Sequence, residues 1–485
     1  MFNFIPLMTL SKSSRLNIKD LSFINNIASL AVIGPSKKRN FFFLRNHFAT
    51  FKGPIYAVNP SIKEIPGFPT ENIYPSIKDI PGEVDFAFIT VPNNKILEVI
   101  DDCVIKKVKL VSIFTAEFSD AGTIEGIKLE LELLKRAKNV VRFLGPNGMG
   151  LFYPKKGIQW RDKFPTEPGN VGFVAQSGGI CNIAIYTAKE LGFHFSKVFS
   201  FVNGTDLDVV DLITFFENDP ETNIILCYVE GIKKGRGNEL INAIKRTTKP
   251  IALLKGGKSK TGSKAARTHT ASIAGNNQIW KSVFKQNNIM EVNSLEQLLN
   301  IAHLIDCYGI KKIENVAVFS ISGGYGVVLT DLLEDAGLKI PDFSPEIQNK
   351  LDEQFFIPGT SSRNPLDAAA QLFQGDSIKK IIDIALSDEK MDCLVMDLPS
   401  YYFDARYFFT PTHNFEEILI ETLCLGHKYN KLLIPIIQRT HTPEERRRVS
   451  KILAAKKVPI FGDPLEVIPL LPKISDYFMK KYQNT

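Results

Sequence analysis

The chain has 485 residues, 44% of them hydrophobic and 23% charged, and its 59 basic and 52 acidic side chains give a formal net charge of +7. This composition excludes a disordered chain, a collagen-like fibre and a disulfide-bonded miniprotein, and about 150 residues per domain predicts roughly three domains. No run approaches the roughly 18 uncharged apolar residues of a membrane span, and the first residues lack a secretion signal, so we expect a cytoplasmic protein.

Six cysteines are scattered along the chain without any C-x-x-C pair. This spacing disfavours a zinc ribbon and a disulfide framework, and it fits a reducing compartment. Free cysteines are usually small buried apolar residues, and we expect most of these six to be buried. No metal site is predicted in this chain.

Short apolar runs alternate along the chain with longer segments of helical period. Such runs predict parallel strands that are buried on both faces and joined by crossover helices. The first unit contains SLAVIG, IYAVNP, VDFAFITVP, KLVSIFT and VRFLGPN. The second contains VGFVAQSGG, KVFSFVNG, NIILCYVEG and PIALLKGG, and the third NVAVFSISGGYG, CLVMDLPS, KLLIPIIQ and VPIFGDP. The predicted fold is therefore α/β, with three consecutive doubly wound parallel-sheet domains.

The same alternation predicts where the domains begin and end. We predict domains at residues 1–160, 165–310 and 313–485, because residues 153–169 have the Pro, Gly and Lys content of a linker. In open parallel sheets, ligands bind at the carboxyl ends of the strands, where loops lead into helices. The loops after the predicted strands are therefore the first place to look for binding residues.

A basic turn follows the first predicted strand; its residues are Gly34-Pro35-Ser36-Lys37-Lys38-Arg39. The turn is not G-x-G-x-x-G, and the second strand ends in Asn59-Pro60 rather than in an acid, so a nicotinamide dinucleotide is disfavoured. Its three cations could meet the several phosphates of coenzyme A. The alternative is a solvated basic loop without a ligand.

Two further loops are built for an anion. Gln176, Ser177, Gly178 and Gly179 lead from a strand into a helix, and small residues at a helix N-terminus let backbone N–H groups converge on an anion. A nucleophile elbow at Ser177 and a simple tight turn are the alternatives. Similar residues recur in the third unit, at Ser322-Gly323-Gly324. Two such loops suggest two helix dipoles acting on one anion.

The strongest basic field lies between these two loops. Residues 231–270 contain eleven Lys or Arg and one acid, a larger excess than that of the whole chain. Such a field suits a small anion, most simply phosphate. His269 lies in the Gly-, Lys- and Ser-rich part of this window. Its alternative is a loop histidine without a role.

Taken in order, AVIG, VNP, VP, LGPN, VAQSGG, NGTDLD, YVEG and ARTHTASIAG resemble the ADP-forming acyl-CoA synthetases of the succinyl-CoA synthetase superfamily. The similarity runs from about Ile27 to the C-terminus and is to the α subunit. It implies a Rossmann-like CoA-binding domain at residues 1–160, a ligase domain with a phosphohistidine loop at 165–310, and a third, flavodoxin-like domain at 313–485.

The resemblance also implies roles for individual residues. His269 would be the phosphorylated histidine and Glu230 the carboxylate that holds it. Phosphate would be held by Gln176, Ser177, Gly178, Gly179, Ser322, Gly323 and Gly324. CoA would contact Gly34, Ser36, Lys37, Lys38, Asn59, Pro60, Val91, Pro92, Glu117 and Asn147. The chain departs from the family pattern at Pro35, at Gly148 (usually Cys), and at Val202 and Ala271 (both usually Gly).

The implied activity is that of an ADP-forming acid–CoA ligase, working through an acyl phosphate and a phosphohistidine. No ATP-grasp domain is recognisable in the sequence, so we expect Mg-ATP or Mg-ADP on an ATP-grasp β subunit in a hetero-oligomer. Two alternatives remain, a non-catalytic CoA-binding or acylation-regulating protein and, more remotely, a serine hydrolase that uses Ser177. Neither nucleic acid nor a membrane is an expected partner.

Overall fold

Three sheets follow one another along the chain in the computed structural model. The described part of the chain comprises residues 20–137, 140–270, 277–369, 376–403, 415–438 and 443–482, without the side chains of 267–270. Among these residues, no helix has the length and apolar character needed to cross a membrane. The predicted α/β fold with three sheet domains is confirmed.

The first sheet has six parallel strands: β1 (Leu30–Ile33), β2 (Ile55–Val58), β3 (Ile73–Tyr74), β4 (Phe86–Ile89), β5 (Leu110–Ile113) and β6 (Arg142–Leu144). Its helices are α1 (Phe42–Phe48), α2 (Ile96–Lys106) and α3 (Ile124–Ala137). The strand order is β3-β2-β1-β4-β5-β6. The winding therefore reverses between β1 and β4, and ligands of doubly wound sheets bind at such a switch point.

The second sheet also has six strands: β7 (Gly150–Phe152), β8 (Val171–Ala175), β9 (Phe195–Ser200), β10 (Ile224–Val229), β11 (Ile251–Lys255) and β12 (Met290–Val292). Its helices are α4 (Gly178–Leu191), α5 (Val209–Asn218), α6 (Gly237–Arg246), α7 (Lys260–Thr270), α8 (Asn277–Gln286) and α9 (Leu295–Tyr308). The order is β12-β11-β10-β8-β9-β7, with the switch point between β8 and β10. The edge strand β7 pairs antiparallel with β9 of this second sheet, although β7 lies within residues 1–160, the range predicted for the first domain.

The third sheet has four parallel strands: β13 (Val316–Ser320), β14 (Leu366–Asp367), β15 (Cys393–Asp397) and β16 (Leu432–Ile436). Its helices are α10 (Gly323–Asp335), α11 (Pro345–Asp352), α12 (Ser377–Ser387), α13 (Phe415–Leu423), α14 (Leu425–Tyr429), α15 (Pro443–Ala455) and α16 (Leu471–Tyr482). The order is β14-β13-β15-β16, so its switch point lies between β13 and β15.

Continuously apolar strands fill two cores at once, because successive side chains point to opposite faces of a sheet. In β13, Val316 and Val318 join the core shared with the second sheet, whereas Ala317 and Phe319 join a separate core of the third domain. The last helix, α16, returns to the second domain and packs against β12. There the Asn288 side chain donates a hydrogen bond of 3.2 Å to the carbonyl of Tyr477.

Two buried histidines should make the fold sensitive to acid. His47 is fully buried against Phe88, neither ring nitrogen has a partner among the described residues, and burial lowers its pKa to about 3. Burial also lowers the pKa of His303 to about 4. The unfolded chain binds these protons near the ordinary pKa of about 6.5, so stability falls as the pH drops below that value.

We expect each buried histidine to remove about 2 kcal/mol of unfolding free energy between about pH 7.5 and about pH 5. Urea unfolding at both pH values should show that His47→Leu loses about that much less than the wild type. Leu44→Ala provides the control, since this buried position of α1 carries no titratable group and the variant should keep the wild-type pH dependence. An equal pH-dependent loss in His47→Leu and the wild type would contradict this account.

Candidate functional site

The loops after β1, β2 and β4 meet at the carboxyl edge of the first sheet. The Gly34 N–H donates to the Val58 carbonyl at 2.9 Å, and the Asn59 side chain donates to the Pro35 carbonyl at 3.1 Å. Gly34 has a φ of +86°, and a Cβ there would lie 2.8 Å from the Val91 side chain. Glycine is therefore required at this turn, because only glycine combines the left-handed backbone with so close an approach.

The same edge continues through the loops after β5 and β6. The Thr115 hydroxyl donates to the Val91 carbonyl at 2.6 Å, and the Asn147 N–H donates to the Thr115 carbonyl at 2.9 Å. The Asn93 side chain donates to the exposed Glu117 carboxylate at 2.9 Å. All the loops that carry predicted CoA contacts, including the exposed Pro60 and Pro92, thus lie along one edge.

The basic turn stands open at this edge. Lys37, Lys38 and Arg39 form a short 3-10 turn, and all three are exposed. None of them has an ion-pair partner in the described part of the chain, and the Arg39 guanidinium lies 5.9 Å from the centre of the Phe114 ring. Unpaired cations beside closely packed backbone suit a ligand with several phosphates. The residues present therefore fit CoA.

Gln176 connects the two strands at the switch point of the second sheet. Its side chain is 3% exposed, and its carboxamide oxygen accepts hydrogen bonds from the N–H groups of Glu230 (2.8 Å) and Gly231 (3.2 Å). Next to it, Ser177 caps α4, because its hydroxyl oxygen accepts the Ile180 N–H at 3.4 Å. The Ser177 oxygen thus acts as a helix cap, a role that does not favour the serine hydrolase alternative.

Glu230 follows β10 and is 6% exposed. The Tyr228 hydroxyl donates to its carboxylate at 3.1 Å, and the Lys255 ammonium donates to its backbone carbonyl at 2.7 Å. Burial lowers the pKa of Lys255 to about 8, while burial and the Glu230 charge raise the pKa of Tyr228. The sequence did not single out Tyr228 or Lys255. Only their position could have pointed to them, since Tyr228 and Lys255 lie near the carboxyl ends of the adjacent strands β10 and β11.

A cavity of about 210 Å³ connects the two edges. Its walls come from the first predicted domain at Phe114, Asn147, Gly148 and Met149, from the α4 loop at Ser177, Gly178 and Gly179, and from Val202. The helix N-terminus supplies N–H groups without intrahelical partners to this space. Val202 is buried and has a φ of 40°, a conformation that β-branched residues rarely adopt.

His269 lies in the last turn of α7, but its side chain is outside the described part of the structure, as is the whole of Ala271. The backbone of α7 lies beside the 3-10 turn Ser119–Ala121, which follows β5. The helix that carries His269 therefore lies at the junction of the first two domains. Contact between His269 and Glu230 remains a prediction.

The predicted phosphate loop of the third domain, Ser322-Gly323-Gly324, lies beside acidic side chains. Ser322, Gly323 and Gly324 are exposed and do not line the cavity. A Cβ on Gly323 would lie 2.7 Å from the Asp367 carboxylate, so this acid packs directly on the start of α10. Asp397 is the last residue of β15, accepts hydrogen bonds from Gln438 (2.6 Å) and Ser320 (3.3 Å), and has its pKa raised to about 6 by burial. These carboxyl groups make the loop less favourable to an anion than the loop at α4.

Comparison with known families identifies two of the three domains. Residues 28–153 match the family described as CoA binding domain, and residues 168–305 match the succinyl-CoA ligase like flavodoxin domain. These ranges contain the basic turn and the Gln176–Glu230 pair, respectively.

Similarity to individual ligases extends over most of the chain. The chain is 33% identical to acetate–CoA ligase [ADP-forming] II subunit alpha of Pyrococcus furiosus, over 77% of this chain and 81% of that subunit. It is 31% identical to acetate–CoA ligase [ADP-forming] I of Archaeoglobus fulgidus, over 92% of this chain, but spans only 62% of that protein. The apo dinucleotide forming acetyl-coenzyme A synthetase 1 of Ca. Korarchaeum cryptofilum superposes with a TM-score of 0.82 at 29% identity, over 95% of this chain and 98% of that one. The chain belongs to the ADP-forming acetate–CoA ligase family, within the succinyl-CoA ligase superfamily.

Proposed function

We propose that this chain is the α subunit of an ADP-forming acid–CoA ligase, which interconverts acyl-CoA, ADP and phosphate with a carboxylic acid, CoA and ATP. The cavity between Asn147 and the N-terminus of α4 carries the proposal. It opens both to the sheet edge that suits CoA and to the helix end that suits phosphate. A thioester from the first domain would there meet a phosphate held by the second.

CoA would bind at the carboxyl edge of the first sheet, and phosphate at the N-terminus of α4. The cations of the basic turn, Lys37 and Lys38, would face the CoA phosphates, and the Gly34 turn lets the ligand approach the backbone. Phosphate would lie at Gln176, Ser177, Gly178 and Gly179, where the start of α4 offers N–H groups and a partial positive charge. The Lys255 ammonium adds positive charge beside Glu230.

In the first step, a phosphate oxygen attacks the thioester carbonyl carbon and the C–S bond breaks. CoA leaves as the thiolate, which takes up a proton, and an acyl phosphate forms. The N–H groups at α4 would stabilise the negative charge that develops during the attack, because they are already oriented when the substrates arrive.

In the second step, a ring nitrogen of His269 attacks the phosphorus, and the P–O bond to the acyl group breaks to release the carboxylic acid. Glu230 would accept the hydrogen bond of the other ring nitrogen, which fixes the tautomer and strengthens the nucleophile. The Tyr228 hydroxyl holds the Glu230 carboxylate in place. Phosphohistidine would then pass its phosphoryl group to ADP.

We further propose that ADP and Mg²⁺ bind to an ATP-grasp partner subunit in a hetero-oligomer. Two Pyrococcus furiosus relatives are named as subunit alpha, and this chain spans 81% and 82% of them. The Korarchaeum enzyme has also been solved in complex with phosphate and ADP. The subunit names support a partner chain, and the complex supports ADP and phosphate as ligands in the second half-reaction.

Calorimetry should detect CoA binding to this chain, with an affinity that falls as salt rises, because exposed cations are screened. Lys38→Glu is expected to weaken CoA binding by about tenfold at low salt. Lys128→Glu makes the same charge change at an exposed position of α3 and should leave the affinity unchanged. Absence of CoA binding, or tighter binding of NADH, would contradict the proposal.

Labelled phosphate separates the ligase from a non-catalytic CoA-binding protein. With acyl-CoA present, the purified chain should acquire an acid-labile, base-stable label, and ATP should appear only after an ATP-grasp subunit and Mg-ADP are added. CoA binding without any labelling, even with the partner present, would favour the non-catalytic alternative.

A further inference from the structure

A buried hydrogen-bond acceptor that has no donor in the described part of the chain lies at the junction of the first two domains. Asn203 is 8% exposed, and its carboxamide nitrogen donates to Asp120 (3.0 Å), Glu130 (3.1 Å) and Ser119 (3.3 Å). Its carboxamide oxygen is buried and has no partner among the described residues. Buried acceptors are nearly always hydrogen-bonded, so this oxygen calls for a donor.

The orientation of the carboxamide follows from charge. Two carboxylates, Asp120 and Glu130, accept from the nitrogen. Rotating the group by half a turn would place the Asn203 oxygen against both negative charges, which is strongly unfavourable. The unpartnered atom is therefore the oxygen, and the donor it lacks must come from outside this cluster.

Asn203 also lies between the two halves of the proposed site. Its neighbour in sequence, Val202, lines the cavity. Its hydrogen-bond partners Ser119 and Asp120 belong to the loop after β5, in which Asp120 also accepts the N–H of Glu117 at 3.0 Å. Asn203 therefore connects the cavity wall at Val202 with the loop that carries the predicted CoA contact Glu117.

We infer that the Asn203 oxygen accepts a hydrogen bond from an amide N–H of the pantetheine arm of CoA, an assignment that rests on the proposed function. This arm carries two secondary amides between the phosphates and the thiol. With the phosphates at Lys37 and Lys38 and the thioester in the cavity, the amides lie on the stretch between them. Asn203 is thus a positioning residue that sets how far the thioester enters the cavity.

Ligand variants test this hydrogen bond directly. We would measure binding of CoA, of two CoA analogues in which one or the other amide N–H is replaced by an ester oxygen, and of 3′-phospho-ADP, which lacks the arm. The wild-type protein should bind one ester analogue about tenfold more weakly than CoA. Asn203→Ala should bind CoA and that analogue equally, with unchanged affinity for 3′-phospho-ADP.

Thr205→Val is the matched control, since it removes a hydrogen bond of 2.6 Å to Glu130 in the same cluster but keeps the Asn203 oxygen. It should still discriminate against the ester analogue. Equal binding of CoA and both analogues by the wild type would overturn the assignment and leave the proposed function standing. Weakening of CoA and 3′-phospho-ADP alike in Asn203→Ala would also overturn it. No CoA binding by the wild type would instead refute the proposed function itself.

Discussion

Glu230→Gln is expected to slow phosphohistidine formation by about 10- to 100-fold, the usual effect of losing a carboxylate that orients a histidine. The amide keeps the shape of the side chain and can still contact Tyr228. It lacks the negative charge that strengthens the opposite ring nitrogen as a nucleophile and offsets the positive charge that develops on the ring. Rapid-quench labelling with acyl-CoA and labelled phosphate would give the rate.

Two companion variants make this result specific. His269→Asn removes the nucleophile and should abolish the label, so undiminished labelling would place the phosphoryl group elsewhere. Glu217→Gln removes a carboxylate of the same domain that pairs with Arg246 at 3.3 Å, and it should label at the wild-type rate. A wild-type rate in Glu230→Gln would remove this carboxylate from the mechanism.

Lys197→Met is expected to lower the free energy of unfolding by about 3–5 kcal/mol, because it leaves the buried Asp219 carboxylate without its cation. The Lys197 ammonium is fully buried, 2.9 Å from Asp219 and 2.6 Å from Glu221, and lies 4.4 Å from the centre of the Tyr153 ring. Burial raises the pKa of Glu221, but hydrogen bonds from Lys155, Lys197 and Tyr153 outweigh it and lower that pKa to about 2.

Urea denaturation at neutral pH would measure this loss. Lys350→Met breaks an exposed pair with Glu346 and should cost less than about 1 kcal/mol. Adding Asp219→Asn to Lys197→Met should recover part of the stability, because one uncompensated charge disappears. A cost for Lys197→Met no larger than that of Lys350→Met would show that the buried cluster is not needed for stability.

The sequence predicted the three sheets because continuously apolar runs have few alternatives to buried parallel strands. It also pointed to the loops at Gly34, Gln176 and Ser322, since the carboxyl ends of parallel strands share one edge. In each sheet the predicted loop follows a strand at the switch point: β1, β8 and β13. Strand order is a tertiary property. The sequence could therefore place each loop at the carboxyl edge of its own sheet, but it could not show which other loops lie beside it.

Other features depended on contacts between distant residues. Asn203 meets Glu130 across 73 positions, and nothing in the helical pattern of α3 distinguishes Glu130 from its exposed neighbours. β7 is only three residues long and antiparallel, so its pairing with β9 has no local signal. Asp367 and Asp397, the acids near Ser322, end the strands β14 and β15, whose adjacency to β13 only the fold reveals. The role of His269 remains a prediction from the sequence.

The return of α16 to the second domain has a consequence for synthesis on the ribosome. β12 is one of the two edge strands of the second sheet, and α16 packs against it. Synthesis runs at about 5–20 residues per second, so the roughly 180 residues that separate these elements take about 10–40 s to emerge. During that interval the nascent chain presents an uncovered strand edge, which is a template for intermolecular pairing. Chaperone protection of the growing polypeptide would matter most in this window.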